Sequence, residues 1–189
     1  MAHFNHFDLL APYYDRFIKP TDVARFCDLA GLPVNGLLLD VGGGTGQKSH
    51  QFINLVTGLL VADSSVGMLS QAQKKTGVRT MRSEAERLPV IDGSFARVIM
   101  VDALHHVSDQ HQTLSELWRV VKPGGRIVIE EPDIRTVAVK VMALIEKVAL
   151  MRSHFLSPAE IAGYFNYPEA KVRVVVDGST AWIIVDKKA

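Results

Sequence analysis

Apolar residues in this chain fall in short runs of strand length, separated by stretches with helical spacing. Gly36–Val41 (GLLLDV), Gly58–Ala62 (GLLVA), Val78–Arg82, Arg97–Asp102 (RVIMVD) and Arg126–Glu130 (RIVIE) are the strand runs. Runs with so few polar breaks suit strands covered on both faces, as in a parallel sheet between helices. Apolar positions recur at helical period over about 46–56, 65–76 and 108–121. The alternation predicts a doubly wound α/β sheet with right-handed crossovers.

The last third changes character. Residues 136–151 read as one long helix that is apolar nearly all round, from Val137 and Val139 through Met142, Leu144, Ile145 and Val148 to Met151. One face suffices for packing on the sheet. The surplus is a candidate wall for an apolar substrate pocket, a membrane-surface contact or a homodimer contact. Ser157-Pro158-Ala159-Glu160 has the form of a capped helix start. Lys171–Val176 and Thr180–Asp186 flank Asp177-Gly178-Ser179, which is turn chemistry, so a closing hairpin is expected. The whole pattern predicts seven strands, mostly parallel, with an antiparallel strand at the C-terminus. Lys122-Pro123-Gly124-Gly125 reads as a turn leading into the fifth strand.

Composition narrows the class. The chain has 189 residues, 48% hydrophobic and 22% charged, with 21 Lys+Arg against 20 Asp+Glu. That length fits one domain, and no repeat or linker divides it. We take 1–189 as a single domain, with an N-terminal cap region at 1–35 and a short substrate-side insert at 133–170. The charge balance offers no basic track for nucleic acid. No run approaches the roughly 20 apolar residues of a membrane span. The start, Met1-Ala-His-Phe-Asn-His-Phe-Asp8, lacks the layout of a signal peptide. One cysteine, Cys27, excludes an internal disulfide and fits a reducing, cytoplasmic setting.

The sharpest motif is Asp40-Val41-Gly42-Gly43-Gly44-Thr45-Gly46, between the first strand run and the next helical stretch. Glycines allow a tight turn and close approach of backbone to a ligand. A helix start after the loop would offer unpaired N–H groups. Asp63 closes the next strand run, where a carboxylate can accept from ribose hydroxyls. The spacing is G-x-G-x-G, and Gln47 fills the third slot of the dinucleotide pattern. Asp40 would repel a pyrophosphate, which disfavours a nicotinamide-dependent oxidoreductase. His105 and His106 follow the fourth strand run and are the candidate catalytic bases, with His106 preferred. Glu130 and Glu131 end the fifth run and read as a solvated strand end before Pro132. No metal-ligand spacing is present, so no metal is expected.

These motifs resemble class I S-adenosylmethionine-dependent methyltransferases, most closely the small-molecule group of ubiquinone and menaquinone biosynthesis. The resemblance runs from about Phe7 to Pro132, through LLLDVGGGTGQ, VADSSVGMLSQAQ, SEAERLPVIDGSFARVI, DALHHVSD and LWRVVKPGGRIVIEEP. It implies S-adenosylmethionine as cofactor and S-adenosylhomocysteine as product. By the same resemblance Gly42, Gly44 and Gly46 line the methionine moiety and Asp40 stands near its amino group. Asp63 holds the ribose, Ser64 and Met68 flank the adenine, and Glu84 and Ala85 meet its edge. Asp102, with Ala103, ends the fourth strand over the methyl donor. Tyr13, Tyr14 and Asp15 resemble a "YD" element that folds over the cofactor. Ala96, Ser83, Glu84 and Val90 depart from the family pattern. The expected acceptor is a small apolar or aromatic molecule. A cofactor-binding subunit or sensor without transfer activity is the alternative.

Overall fold

Leu38 and Leu39 are both fully buried, and they belong to two separate apolar cores. Successive side chains of a strand point to opposite faces, so β1 (Leu37–Val41) is covered on both sides. The same pairing recurs in β4 (Phe95–Val101) with Val98 and Ile99, and in β5 (Val121–Pro132) with Ile127 and Val128. This computed structural model describes Ala11, Asp15 and residues 22–137, 139–140 and 153–189. Among them seven strands form one sheet in the order β3-β2-β1-β4-β5-β7-β6. The others are β2 (Gly58–Asp63), β3 (Val78–Arg82), β6 (Ala170–Asp177) and β7 (Thr180–Lys187). The first five are mutually parallel, and β7 lies antiparallel between β5 and β6. Seven strands with a reversed C-terminal strand is the arrangement the apolar runs predict.

The helices begin at polar caps. α1 (Val23–Ala30) starts at Asp22, whose carboxylate accepts from the Arg25 N–H at 3.0 Å. α2 (Val66–Ala72) starts at Ser65, α3 (Gln110–Val120) at Asp109, and α4 (Pro158–Gly163) at the Ser157–Glu160 capping box. The last carbonyls of α1 have no helical partner. Arg97 donates to those of Ala30 and Gly31, and Arg126 to that of Leu29, which fixes α1 to the sheet.

Two expectations need correction. The stretch 46–56 is not an α-helix; it contains a 3-10 helix at Ser49–Leu55. Its buried residues are Ser49 and Phe52, three apart, and three is the 3-10 period. Phe52 stacks on Phe26 of α1 at 4.9 Å between ring centres. Lys122–Gly125 is not a turn before β5 but a bulged part of it. Phe95 pairs with Val121 and Arg97 with Arg126, so the intervening residues of β5 bow outward. Gly125 permits this, since a Cβ there would lie 2.7 Å from Val121 Cγ2 and 2.8 Å from Lys122 O. The long helix expected at 136–151 falls mostly outside the described residues. Of its described members, Val139 is buried and Val137 is 76% exposed.

Candidate active site

The strand order reverses between the parallel neighbours β1 and β4, and open α/β sheets bind ligands in the crevice outside the carboxyl ends of strands at such a point. A cavity of about 230 Å³ opens there. Its walls come from the loops after β1, β2, β3 and β4.

The loop after β1 is held from within. Gly42 and Gly43 donate to Ala62 O, and Gly46 donates to Gly43 O. Gly44 donates to Asp63 Oδ2 at 2.9 Å. Gly42, Gly44 and Gly46 all have left-handed φ angles, 67°, 56° and 67°. A Cβ on Gly42 would also stand 2.7 Å from the Ala103 methyl group beside it in the wall. Gly42 and Gly44 line the cavity, whereas Gly46 lies behind it. Asp40 is buried beneath the loop, where a Cβ on Gly43 would overlap its carboxylate. Burial pushes its pKa up to about 6, against the lowering by the Ser49 hydroxyl.

Asp63 stands at the centre of the wall. Its second oxygen accepts from Ser65 N–H at 2.8 Å, so both oxygens are oriented by backbone. Ser64, Met68, Glu84 and Ala85 line the same cavity, as do Ser83, Glu86 and Leu88. Glu86 accepts from the N–H groups of Ser108 and Asp109 and so joins the loop after β3 to the start of α3. Leu88 N–H donates to Glu116, whose carboxylate is gripped by Arg119. Arg119 also donates to Leu88 O and Val90 O. Glu86 and the Glu116–Arg119 pair are structural features that the local pattern did not single out.

The loop after β4 supplies Asp102, Ala103 and His106. Asp102 is a non-glycine residue at φ 51°. Its carboxylate meets Lys48 Nζ at 2.7 Å, and Lys48 reaches Glu130 at 3.4 Å. The other Glu130 oxygen accepts from the Trp182 indole N–H at 3.1 Å. Glu131 is 4% exposed and accepts from Ala103 N–H, Leu104 N–H and His105 Nδ1. Neither glutamate is the solvated strand end expected of Glu-Glu-Pro, because both find partners remote in sequence.

The two histidines are placed differently. His105 is 4% exposed, lies behind the cavity wall and stacks on Phe155 at 4.5 Å. His106 faces the cavity, with Nδ1 3.2 Å from Ser153 Oγ. Burial and then neighbouring His105 push the His106 pKa down to about 4, with Asp102 pulling the other way. Asp15 accepts a hydrogen bond from the Thr45 hydroxyl and pairs with Lys75 Nζ at 2.9 Å. The acid of the "YD" element therefore sits on the glycine loop; Tyr13 and Tyr14 lie outside the described residues. Among the described residues no three His, Cys, Asp or Glu side chains gather as a metal site. No described helix is long and apolar enough to cross a membrane.

Residues 39–129, from β1 to β5, match the family model described as methyltransferase domain. This stretch, just under half of the chain, resembles a methyltransferase domain. The ubiquinone/menaquinone biosynthesis C-methyltransferase of Pseudomonas savastanoi is 33% identical over 114 residues, 55% of this chain and 44% of the relative. The chain thus matches less than half the length of that curated relative. Two solved structures carry the same fold at low identity. A Haloferax volcanii protein in complex with the Trm112 methyltransferase activator superposes with a TM-score of 0.81 at 17% identity, covering all of both chains. The geranyl diphosphate C-methyltransferase of Streptomyces coelicolor, solved with S-adenosyl-L-homocysteine, gives 0.70 at 17% identity, over 88% of this chain and 77% of that one.

Proposed function

We propose that this domain binds S-adenosylmethionine and transfers its methyl group to a small acceptor of apolar or aromatic character, leaving S-adenosylhomocysteine. The observation that carries the reading is Asp63. It is oriented by two backbone N–H groups in the wall of a cavity that runs from the β3 loop to His106. The residues present fit a cationic donor better than a dinucleotide. The N–H groups of Gly42, Gly43, Gly44 and Gly46 all donate within the chain, which leaves them no free nest for a pyrophosphate. Asp63, Glu84, Glu86 and Asp102 give the wall an acidic character that suits a sulfonium and an α-amino group.

In this reading Asp63 takes the ribose hydroxyls. Ser64, Met68, Glu84 and Ala85 surround the base. Gly42, Gly44 and Asp102 line the amino-acid end, with Asp40 and Gly46 supporting the loop from behind. Tyr14 is assigned to the covering element by family resemblance alone. The bound donor supplies an electrophilic methyl group for in-line displacement, so the protein's task is alignment and exclusion of water. His106 projects where the acceptor would approach. With its pKa near 4 it is neutral at pH 7 and accepts a hydrogen bond from an acceptor O–H or N–H. His105, behind it, shapes that wall. The quinone-biosynthesis relatives and the apolar Ala103 and Val107 in the wall support a ring-like acceptor. A cytoplasmic location fits the free Cys27.

Calorimetry on the full chain tests the donor. S-adenosylmethionine and S-adenosylhomocysteine should bind, and NAD should not. A screen with labelled methyl donor against phenolic, quinol and amine compounds then tests transfer. Binding of NAD alone would reject the reading.

A further inference from the structure

We infer that Glu131 is the positioning residue for the reactive end of the cavity, a role that rests on the methyl-donor reading above. The side chain leaves β5 and crosses to the turn after β4. One oxygen accepts from Ala103 N–H at 3.0 Å and Leu104 N–H at 2.7 Å. The other lies 2.6 Å from His105 Nδ1. A carboxylate only accepts, so Nδ1 carries the proton and the His105 tautomer is set by Glu131.

Those three donors are consecutive residues, and they sit between Asp102 and His106. Ala103 and Leu104 begin a 3-10 turn, Leu104–His106, whose first N–H groups have no partner inside the turn. With both N–H groups in a buried place, Glu131 is their acceptor. The turn departs from a residue in left-handed conformation, Asp102, so it needs an external hold to keep its shape. His105 is fixed on one side by Glu131 and on the other by Phe155, and His154 N–H donates to His105 O at 2.8 Å. One carboxylate thereby holds the turn that begins beside Asp102 and carries Ala103 and His106 into the wall. The opposite end of the cavity, formed by the β2 and β3 loops, receives no hydrogen bond from Glu131.

That asymmetry gives a test which needs no acceptor. S-adenosylhomocysteine spans the whole cavity, whereas adenosine ends at the ribose. Calorimetry on the full-length Glu131→Ala variant should show S-adenosylhomocysteine weakened at least about tenfold and adenosine changed less than about twofold. Glu131→Gln keeps an oxygen for both N–H groups and turns an amide N–H to His105. It should restore most of the affinity and serves if the alanine variant does not fold. In wild type, the His105 Nδ1–H should give a protected, downfield proton resonance, lost in both variants. Equal loss of both ligands in either variant, no change in either ligand in Glu131→Ala, or a His105 Nδ1–H resonance that survives in Glu131→Gln overturns the inference. If wild type binds adenosine and S-adenosylhomocysteine equally well, the reactive end makes no contact and the inference falls while the base and ribose subsites stand. If wild type binds neither, the donor reading falls and takes this role with it.

Discussion

Asp63 Oδ2 accepts the Gly44 N–H at 2.9 Å, although the two residues lie 19 apart in sequence. The glycine loop after β1 and the acid after β2 are therefore one hydrogen-bonded unit. Asp63→Ala removes the acceptor for Gly44 and for Ser65 together with the proposed ribose contact. A hydrogen bond to a charged group is worth about 1.5–3 kcal/mol, so S-adenosylmethionine affinity should fall at least about tenfold. Asp63→Asn keeps one accepting oxygen and should lose less. Calorimetry decides, and an unchanged affinity in Asp63→Ala would remove Asp63 from the site.

Gly42→Ala tests the adjoining part of the wall. The new methyl group meets Ala103 Cβ at 2.7 Å and imposes a left-handed φ on an L-residue, a strain of about 1–2 kcal/mol. The variant should melt lower and bind S-adenosylmethionine at least about tenfold more weakly. Adding Ala103→Gly returns the space but not the backbone freedom, so binding should recover in part. Full recovery of the melting temperature would show that strain at residue 42 is negligible.

Asp40 and His106 make opposite contributions to stability across acid pH. The Asp40 pKa is about 6 in the fold against 3.8 for the free group. Between those values the native state holds more protons, so this contribution falls as pH rises. The His106 pKa is about 4 against 6.5. There the unfolded state holds more protons, so this contribution falls as pH drops from 6.5 to 4. Each is on the order of 1–3 kcal/mol, and over the shared window they offset. Urea unfolding at pH 4.5, 5.5 and 6.5 should show a steeper loss toward acid in Asp40→Asn than in wild type, and a shallower one in His106→Asn. Parallel curves for all three proteins would contradict this assignment.

Glu116 is nearly buried and Arg119 is the cation that neutralises it. Arg119→Ala leaves that carboxylate without its partner and releases the carbonyls of Leu88 and Val90. The expected cost is about 2 kcal/mol, discounted for the partial exposure of Arg119. In a Glu116→Gln background the same change should cost about 1 kcal/mol less, because no charge is stranded. A double-mutant cycle in urea measures the difference, and additive costs would show that the two side chains act independently.

Much of this architecture was legible from local pattern. Four apolar runs became β1, β2, β4 and β5, since a strand covered on both faces has to be apolar at nearly every position, and the weaker run Val78–Arg82 became the edge strand β3. Ser157 caps its helix as its local pattern predicts, because a side-chain oxygen one step before a helix satisfies its first N–H groups. Strand-end position and the family motifs marked ten residues that the fold gathers on one cavity: Gly42, Gly44, Asp63, Ser64, Met68, Glu84, Ala85, Asp102, Ala103 and His106. What escaped was long-range pairing. Nothing near Glu130 and Glu131 in sequence announces Lys48, Trp182 or the Ala103–His105 turn as their partners. The 3-10 winding of Ser49–Leu55 escaped too, because Ser49 and Phe52 also suit an α-helical spacing.

The strand order leaves β3 and β6 as the two outer strands of the sheet, each with one row of backbone groups facing away from it. Such rows invite another chain to add a strand. Both carry exposed cations along their length: Arg79 and Arg82 on β3, Lys171 and Arg173 on β6. On β6 they alternate with Val172 and Val174, so the most apolar margin of the sheet is also its most guarded. Two copies meeting along matching β3 margins would set arginine against arginine, a repulsion that opposes strand addition at that edge.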